Sequence, residues 1–161
     1  MSMNNRFNYL ISKINKADFS YDPFKHIEIQ DFLSVEDFNE IVSCQEINLR
    51  EQVSDEILFQ ELFDNGYKIV PFPGTITDHK FYINRRKKNQ SISIHSACES
   101  AGVVLRLLKP SSQILSDLKM VIESKEFNFC LAKKFDLNLD HFTIDTGIQK
   151  YLDGYEISPH P

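Results

Sequence analysis

The stretch Lys150-Tyr151-Leu152-Asp153-Gly154-Tyr155-Glu156-Ile157-Ser158-Pro159-His160-Pro161 decides how the rest of the chain is read. It is the densest set of chemically capable side chains in the sequence. A tyrosine, a glycine three residues on and a Pro-His pair make the pattern Y-x-x-G-x-x-x-x-P-H-x. Side chains on an extended segment alternate with period two. Tyr151 and His160 are nine residues apart, so one straight strand would put them on opposite faces. Gly154 lies between them, where a turn or bulge would reset the register. The phenol of Tyr151 both donates and accepts hydrogen bonds, and the imidazole of His160 is a common metal ligand. The plain alternatives are a solvated tail for Pro159-His160 and cross-strand packing for the tyrosines.

Working back from this stretch, Ile148 to Leu152 reads as extended, as do residues 155–160. Gly147 breaks an earlier alternation over Phe142-Thr143-Ile144-Asp145. Before that, Ala97 to Phe135 reads as helix-rich. Val103, Val104, Leu107 and Leu108 make one helical face ended by Pro110. Ser111 is placed to cap the next helix, where Ile114, Leu115, Leu118, Val121 and Ile122 keep helical spacing. A short helix over about 126–135 carries Phe127, Cys130, Leu131 and Phe135.

The N-terminal part gives a second set of patterns. Phe7, Leu10, Ile11 and Ile14 fall on one helical face within residues 4–17. Ile27 and Ile29 alternate with polar neighbours over residues 22–33, which predicts a half-buried strand. Ser34 then starts a helix, with Asp37 three residues on and Phe38, Ile41 and Val42 inside. A further helix over about 54–65 runs from Ser54 to Asn65-Gly66 and buries Leu58, Phe59, Leu62 and Phe63. Tyr67 to Val70 reads as a strand and Pro71-Phe72-Pro73-Gly74 as a turn. Residues 78–84 and 91–95 read as extended, with Arg85-Arg86-Lys87-Lys88 in a solvated loop between them. His26, His79, His95 and His141 read as structural or exposed.

The chain has 161 residues, a length for one domain, and 42% apolar content, ordinary for a globular protein. A net charge of -5 argues against nucleic acid as a partner, which needs a basic surface. No apolar run reaches the ~18–20 residues of a membrane span. The start lacks the charged-then-apolar form of a secretory signal. Cys44, Cys98 and Cys130 are sparse and odd in number, which reads as reduced thiols of a cytoplasmic protein.

Taken jointly, Tyr151, Gly154, Pro159 and His160 resemble the first metal-ligand strand of the iron(II)/2-oxoglutarate-dependent dioxygenases, in the prolyl 4-hydroxylase-like branch. The Pro-Phe-x-His-Ile-x-Ile-x-x-Phe-Leu-Ser opening at residues 23–34 resembles the strand and first helix of that family more loosely. The resemblance implies an α+β fold in which N-terminal helices precede the first strands of a double-stranded β-helix, or jelly roll. It implies His160 as an iron ligand and Tyr151 as a 2-oxoglutarate contact. The implied cofactors are Fe(II), 2-oxoglutarate as cosubstrate and, optionally, ascorbate. The implied partner is a small molecule or protein to be hydroxylated.

Three parts of the family's site have no counterpart here. These are an aspartate two residues after the histidine, a distal histidine several strands on, and a basic residue for the cosubstrate's far carboxylate. The expectation is therefore that residues 1–161 are the N-terminal part of one oxygenase-like domain, truncated inside its metal motif and inactive as it stands. A non-catalytic jelly-roll or α+β binding domain is the alternative. The substrate and the oligomeric state are not written in the sequence.

Overall fold

The structure is a computed structural model and describes residues 5–49, 53–71, 75–88, 100–139, 146–150 and 156–157. It is a mixed α+β arrangement with small antiparallel sheets. The chain forms two compact units, residues 1–47 with 111–146 and residues 48–110 with 147–161.

The first unit is mainly helical. A single tight turn at Arg6–Asn8 leads into α1 (Tyr9–Lys16). Asn5 opens it by accepting a hydrogen bond from the Phe7 amide at 2.9 Å. The spacing predicted from sequence holds: Phe7, Leu10 and Ile14 are buried. They pack against α5 (Gln113–Ile122) and α6 (Lys125–Phe135), whose own buried residues are Ile114, Leu115, Val121, Phe127, Cys130 and Ala132. Burying such side chains stabilises by about 1.5–3 kcal/mol each. Ser124 caps α6 by accepting from the Phe127 amide at 3.1 Å. Two-residue strands β1 (Phe19–Ser20) and β2 (His26–Ile27) pair antiparallel. The strand expected over 22–33 is therefore reduced to one short pairing, with Ile27 and Ile29 half-buried.

Helix α2 (Val35–Ser43) starts where expected, with Ser34 accepting from the Asp37 amide at 3.0 Å. Its inward face is not the one the spacing predicts. Phe38 is 53% exposed and Val42 39% exposed, while Asp37 is buried. The cause is electrostatic. The Asp37 carboxylate accepts from the Tyr9 hydroxyl at 2.6 Å and pairs with Arg6, which also pairs with Glu40 at 2.7 Å. Burial pushes the Asp37 carboxyl up, but Tyr9, the Ser34 hydroxyl and Arg6 outweigh it and hold it below its ordinary value. Turning Phe38 inward would rotate this carboxylate away from its partners. The apolar stripe gives way.

A second buried carboxylate ties the end of α2 to the start of α5. Glu46 is 1% exposed. It accepts from the amides of Ser111 and Ser112 at 2.9 and 2.8 Å, from the Ser111 hydroxyl at 2.8 Å and from the Ser112 hydroxyl. The predicted cap of α5 moves accordingly: Ser112, not Ser111, is the N-cap residue, and its side chain makes no capping bond within its own helix. Glu46 serves instead, placing a negative charge at the positive end of the helix.

The second unit holds the strands. Helix α3 (Asp55–Asp64) begins after Ser54 and ends at Asn65, with Gly66 at φ +87 where a side chain would be strained. Phe59 and Leu62 are buried as predicted. Strand β3 (Tyr67–Ile69) follows.

Residues 78–84 are not extended. They open α4 (His79–Lys87). Asp78 accepts from the amides of Lys80 and Phe81 at 2.9 and 3.3 Å and so caps the helix. Tyr82 packs edge-on against Phe59 at 6.2 Å between ring centres. The basic run is the last turn of this helix, not a loop. Arg86 pairs with Asp55 at 3.4 Å and Lys87 with Glu56. Cations at the C-terminal end of α4 thus meet anions in the first turn of α3, the arrangement both helix dipoles favour.

Residues 103–108 are also not helical. Strand β5 (Leu105–Leu107) is the middle of a three-stranded antiparallel sheet, ordered β3, β5, β6, where β6 is Ile148–Lys150. Strand β4 (Ser100–Ala101) precedes it and pairs with β7 (Glu156–Ile157). Gly102, at φ +122, turns the chain between β4 and β5. Val103, Val104, Leu105 and Leu107 are all buried. A short continuous apolar run fits a central strand as well as a helix, and the pairing on both edges of β5 decides it. All of the expected turn at 71–74 except Pro71, and the expected strands at 91–95 and 142–145, lie outside the described residues.

Candidate functional site

The segments on either side of Gly154, at 148–150 and 156–157, are placed on two antiparallel pairings. Strand β6 runs beside β5, with Leu107 opposite Ile148, Arg106 opposite Gln149 and Leu105 opposite Lys150. Strand β7 runs beside β4, with Ala101 opposite Glu156 and Ser100 opposite Ile157. Between these pairings, three residues on one side (102–104) correspond to five on the other (151–155). The register therefore moves by two residues across the segment that contains Gly154. An even offset leaves the alternation of faces unchanged, so it does not by itself bring residues nine apart onto one face. Tyr151, Gly154, Pro159 and His160 themselves lie outside the described residues.

The 100–107 segment is the spine of this region. On its other edge, Tyr67 to Ile69 pair with Leu107 to Leu105. The Val70 amide then donates to the Val104 carbonyl at 3.0 Å and the Ile76 amide to the Gly102 carbonyl at 2.9 Å. The strand that leads into the motif is thus held on a sheet whose centre is buried.

One charged residue at this centre was missed by the sequence reading. Arg106 is 8% exposed, in the middle of β5. Directly opposite pairs share a face, so Lys68, Arg106 and Gln149 form one polar row across the sheet. Gly147 is the diagonal neighbour of Arg106 on that face. A Cβ at Gly147 would lie 2.8 Å from Cδ and 2.9 Å from Cγ of Arg106. The glycine that breaks the alternation before β6 therefore makes room for the arginine stem. The signal available in the sequence was an arginine inside an otherwise apolar run, Val103-Val104-Leu105-Arg106-Leu107-Leu108.

The described histidines have structural roles. His79 sits against the rings of Phe59 and Phe63 at 5.3 and 5.1 Å between centres. His26 has Nδ1 2.8 Å from the Phe24 carbonyl. Among the described residues no group of three or more His, Cys, Asp or Glu side chains converges as a metal ion requires. The Cys130 thiol contacts the Ile11 carbonyl and Asn15 Oδ1, and burial pushes its pKa up, away from the reactive thiolate. His95, His141 and Cys98 lie outside the described residues.

The first unit has a half-open groove of about 700 Å³ between α1 and the α5–α6 corner, lined in part by Asn8, Ile11, Asn15, Met120 and Val121. Ser12, Ser124, Lys16 and Glu126 add hydroxyl and charged groups to its lining.

No family model matches this chain, and no curated protein or solved structure matches it. No helix among the described residues is long and apolar enough to cross a membrane.

Proposed function

We propose that this chain is the N-terminal part of an iron(II)/2-oxoglutarate-dependent dioxygenase, with its helices and first strands belonging to a double-stranded β-helix. The observation that carries the reading is the joint order and spacing of Tyr151, Gly154, Pro159 and His160. It is supported by the antiparallel pairings of β6 and β7, the extended segments that flank Gly154.

In this reading His160 gives one imidazole ligand, and the Tyr151 phenol hydrogen-bonds 2-oxoglutarate. One histidine does not make a catalytic iron site; two histidines and a carboxylate leave the open positions that such chemistry needs. Iron held in that way would supply the oxidative chemistry that links decarboxylation of 2-oxoglutarate to hydroxylation of a small molecule or protein. The described part of this chain supplies the scaffold: β5 at the centre, β6 beside it, and α3 and α4 packed together next to β3.

The alternative is a non-catalytic α+β interaction domain. The outward stripe of Val35, Phe38 and Val42 on α2 favours it, since these are large apolar groups on one helical face.

The test begins with the coding sequence after Pro161. The dioxygenase reading expects an aspartate two residues after His160, a distal histidine, and a downstream arginine or lysine. Full-length protein loaded with iron should then release carbon dioxide from 2-oxoglutarate, and His160→Ala should abolish it. A stop codon directly after Pro161, or an intact full-length protein without turnover, sinks the reading in favour of the interaction domain.

A further inference from the structure

One wall of the groove in the first unit is a face of α1 on which Asn8, Ser12 and Asn15 follow one another at helical spacing, i, i+4 and i+7. A solvated helix face is ordinarily made of strong helix formers such as lysine, glutamate and glutamine. Asparagine and serine favour a helix less, because their short polar groups compete for the backbone. We propose that this groove binds an extended, uncharged peptide segment of a partner protein and reads its backbone through Asn8, Ser12 and Asn15. The proposal stands apart from the dioxygenase reading and uses neither iron nor 2-oxoglutarate.

The chemistry of the lining selects the occupant. A carboxamide carries a donor and an acceptor side by side, the same pair that a peptide group presents, and a serine hydroxyl both donates and accepts. Asn15 is held from α6, where its Oδ1 accepts from the Cys130 thiol at 3.3 Å. Its Nδ2 hydrogens lie on the other branch of the group and are the ones offered to an occupant. Asn5 anchors the far end of the groove, donating through Nδ2 to the Asp117 carbonyl of α5 at 3.1 Å. That bond ties the start of the α1 wall to the wall opposite. The charges of the lining cancel, Lys16 against Glu126, so the groove favours an occupant without net charge.

The dimensions suit a chain better than a small amide. From Asn8 to Asn15 the helix rises about 10.5 Å, the length of about three residues of extended chain. Side chains at this spacing stand about 5–6 Å apart, and an extended chain turns its backbone groups to the same side every second residue, about 6.8 Å. Side-chain rotation takes up the difference. The volume of about 700 Å³ lies within the ~300–1,000 Å³ of pockets that enclose a ligand. Ile11, Val121 and Met120 supply apolar contacts; Val121 is buried and Met120 half exposed. Methionine adapts to side chains of different shape, so recognition falls on the backbone and leaves the sequence of the segment loosely specified.

The experiment follows isotope-labelled full-length protein by NMR while a capped hexapeptide library is added, made of alanine, serine, threonine, valine and leucine in random order. The expected result is a saturable shift of the Asn8 and Asn15 side-chain amide signals at millimolar peptide. A library methylated on its backbone nitrogens has lost its donors and should bind at least tenfold more weakly. Asn15→Asp keeps the size of the side chain, removes its donors and should also weaken binding at least tenfold. If Asn15→Asp does not fold, Ser12→Ala, at an exposed position, decides the point with a loss of about threefold. No saturable shift, equal binding of the methylated library, or wild-type binding by the folded variants would overturn the proposal. Two other occupants would overturn it as well. Saturation of the same signals by a single capped amino acid, as tightly as by the library, would mark a small-molecule site. Shifts that grow with protein concentration alone would mark a second copy of the chain.

Discussion

Replacing Glu46 by glutamine keeps the size of the side chain and removes its charge. In the wild type, burial pushes the Glu46 carboxyl up, but the hydroxyl and amide of Ser112 and the hydroxyl of Ser111 outweigh burial and hold its pKa at about 2. The ordinary value is 4.5. At about 1.4 kcal/mol per tenfold change in proton affinity, the ionised, hydrogen-bonded form contributes on the order of 3 kcal/mol. The folded value is depressed, so this contribution is complete above the unfolded value and is lost as pH falls through the folded one. It should be present in full at neutral pH, fall to about 1.4 kcal/mol near pH 3, and vanish below about pH 2. The assay is urea unfolding of wild type and Glu46→Gln, followed by far-ultraviolet circular dichroism at pH 7 and pH 3. With a slope of about 2 kcal/mol per molar urea, the midpoints should differ by about 1.5 M at pH 7 and by about half that at pH 3. Equal midpoints at pH 7, or a gap that does not shrink on acidification, would refute the reasoning. Either result would mean that the carboxylate does not hold the start of α5.

Three further outcomes follow from the packing. Tyr9→Phe deletes the hydroxyl that accepts from the Ser34 amide at 2.9 Å and donates to Asp37 at 2.6 Å; it should cost about 1–2 kcal/mol and raise the Asp37 pKa, read by NMR titration. Phe38→Ser should change stability by less than about 0.5 kcal/mol, because the ring is 53% exposed; a loss of about 3 kcal/mol, as for a core phenylalanine, would show that α2 turns its apolar stripe inward after all. Lys87→Ala removes a surface pair with Glu56 and should lower the melting temperature only slightly, a loss that fades in high salt.

Acid sensitivity and side-chain placement lead to the same contrast between local and distant effects. The caps at Ser34 and Ser54 were legible because a cap is completed within three residues of itself. The faces of α1, α3, α5 and α6 were legible because one apolar stripe met one core. The cap at Asp78 carried an equally local signal. Reading 78–84 as extended gave weight to Phe81, Tyr82 and Ile83, aromatic and β-branched residues that favour strands. Packing of Tyr82 on Phe59 overrides that preference.

What the sequence determined by itself was the set of local elements: most helices, their starts and the strand after α3. What only the tertiary structure decided was every feature made by partners distant along the chain. Residues 103–108 became strand instead of helix because β3 and β6 supply hydrogen bonds on both edges, and an apolar run has no period to say so. Helix α2 turned Asp37 inward because Arg6 and Tyr9, some thirty residues earlier, hold its charge. Glu46 found Ser111 and Ser112 across 65 residues of chain, and Arg106 found Gly147 across a strand pairing. Helical periodicity and capping are short-range, so they can be read along the chain. Pairing of strands and compensation of buried charge depend on which segments meet, and only the folded chain brings those segments together.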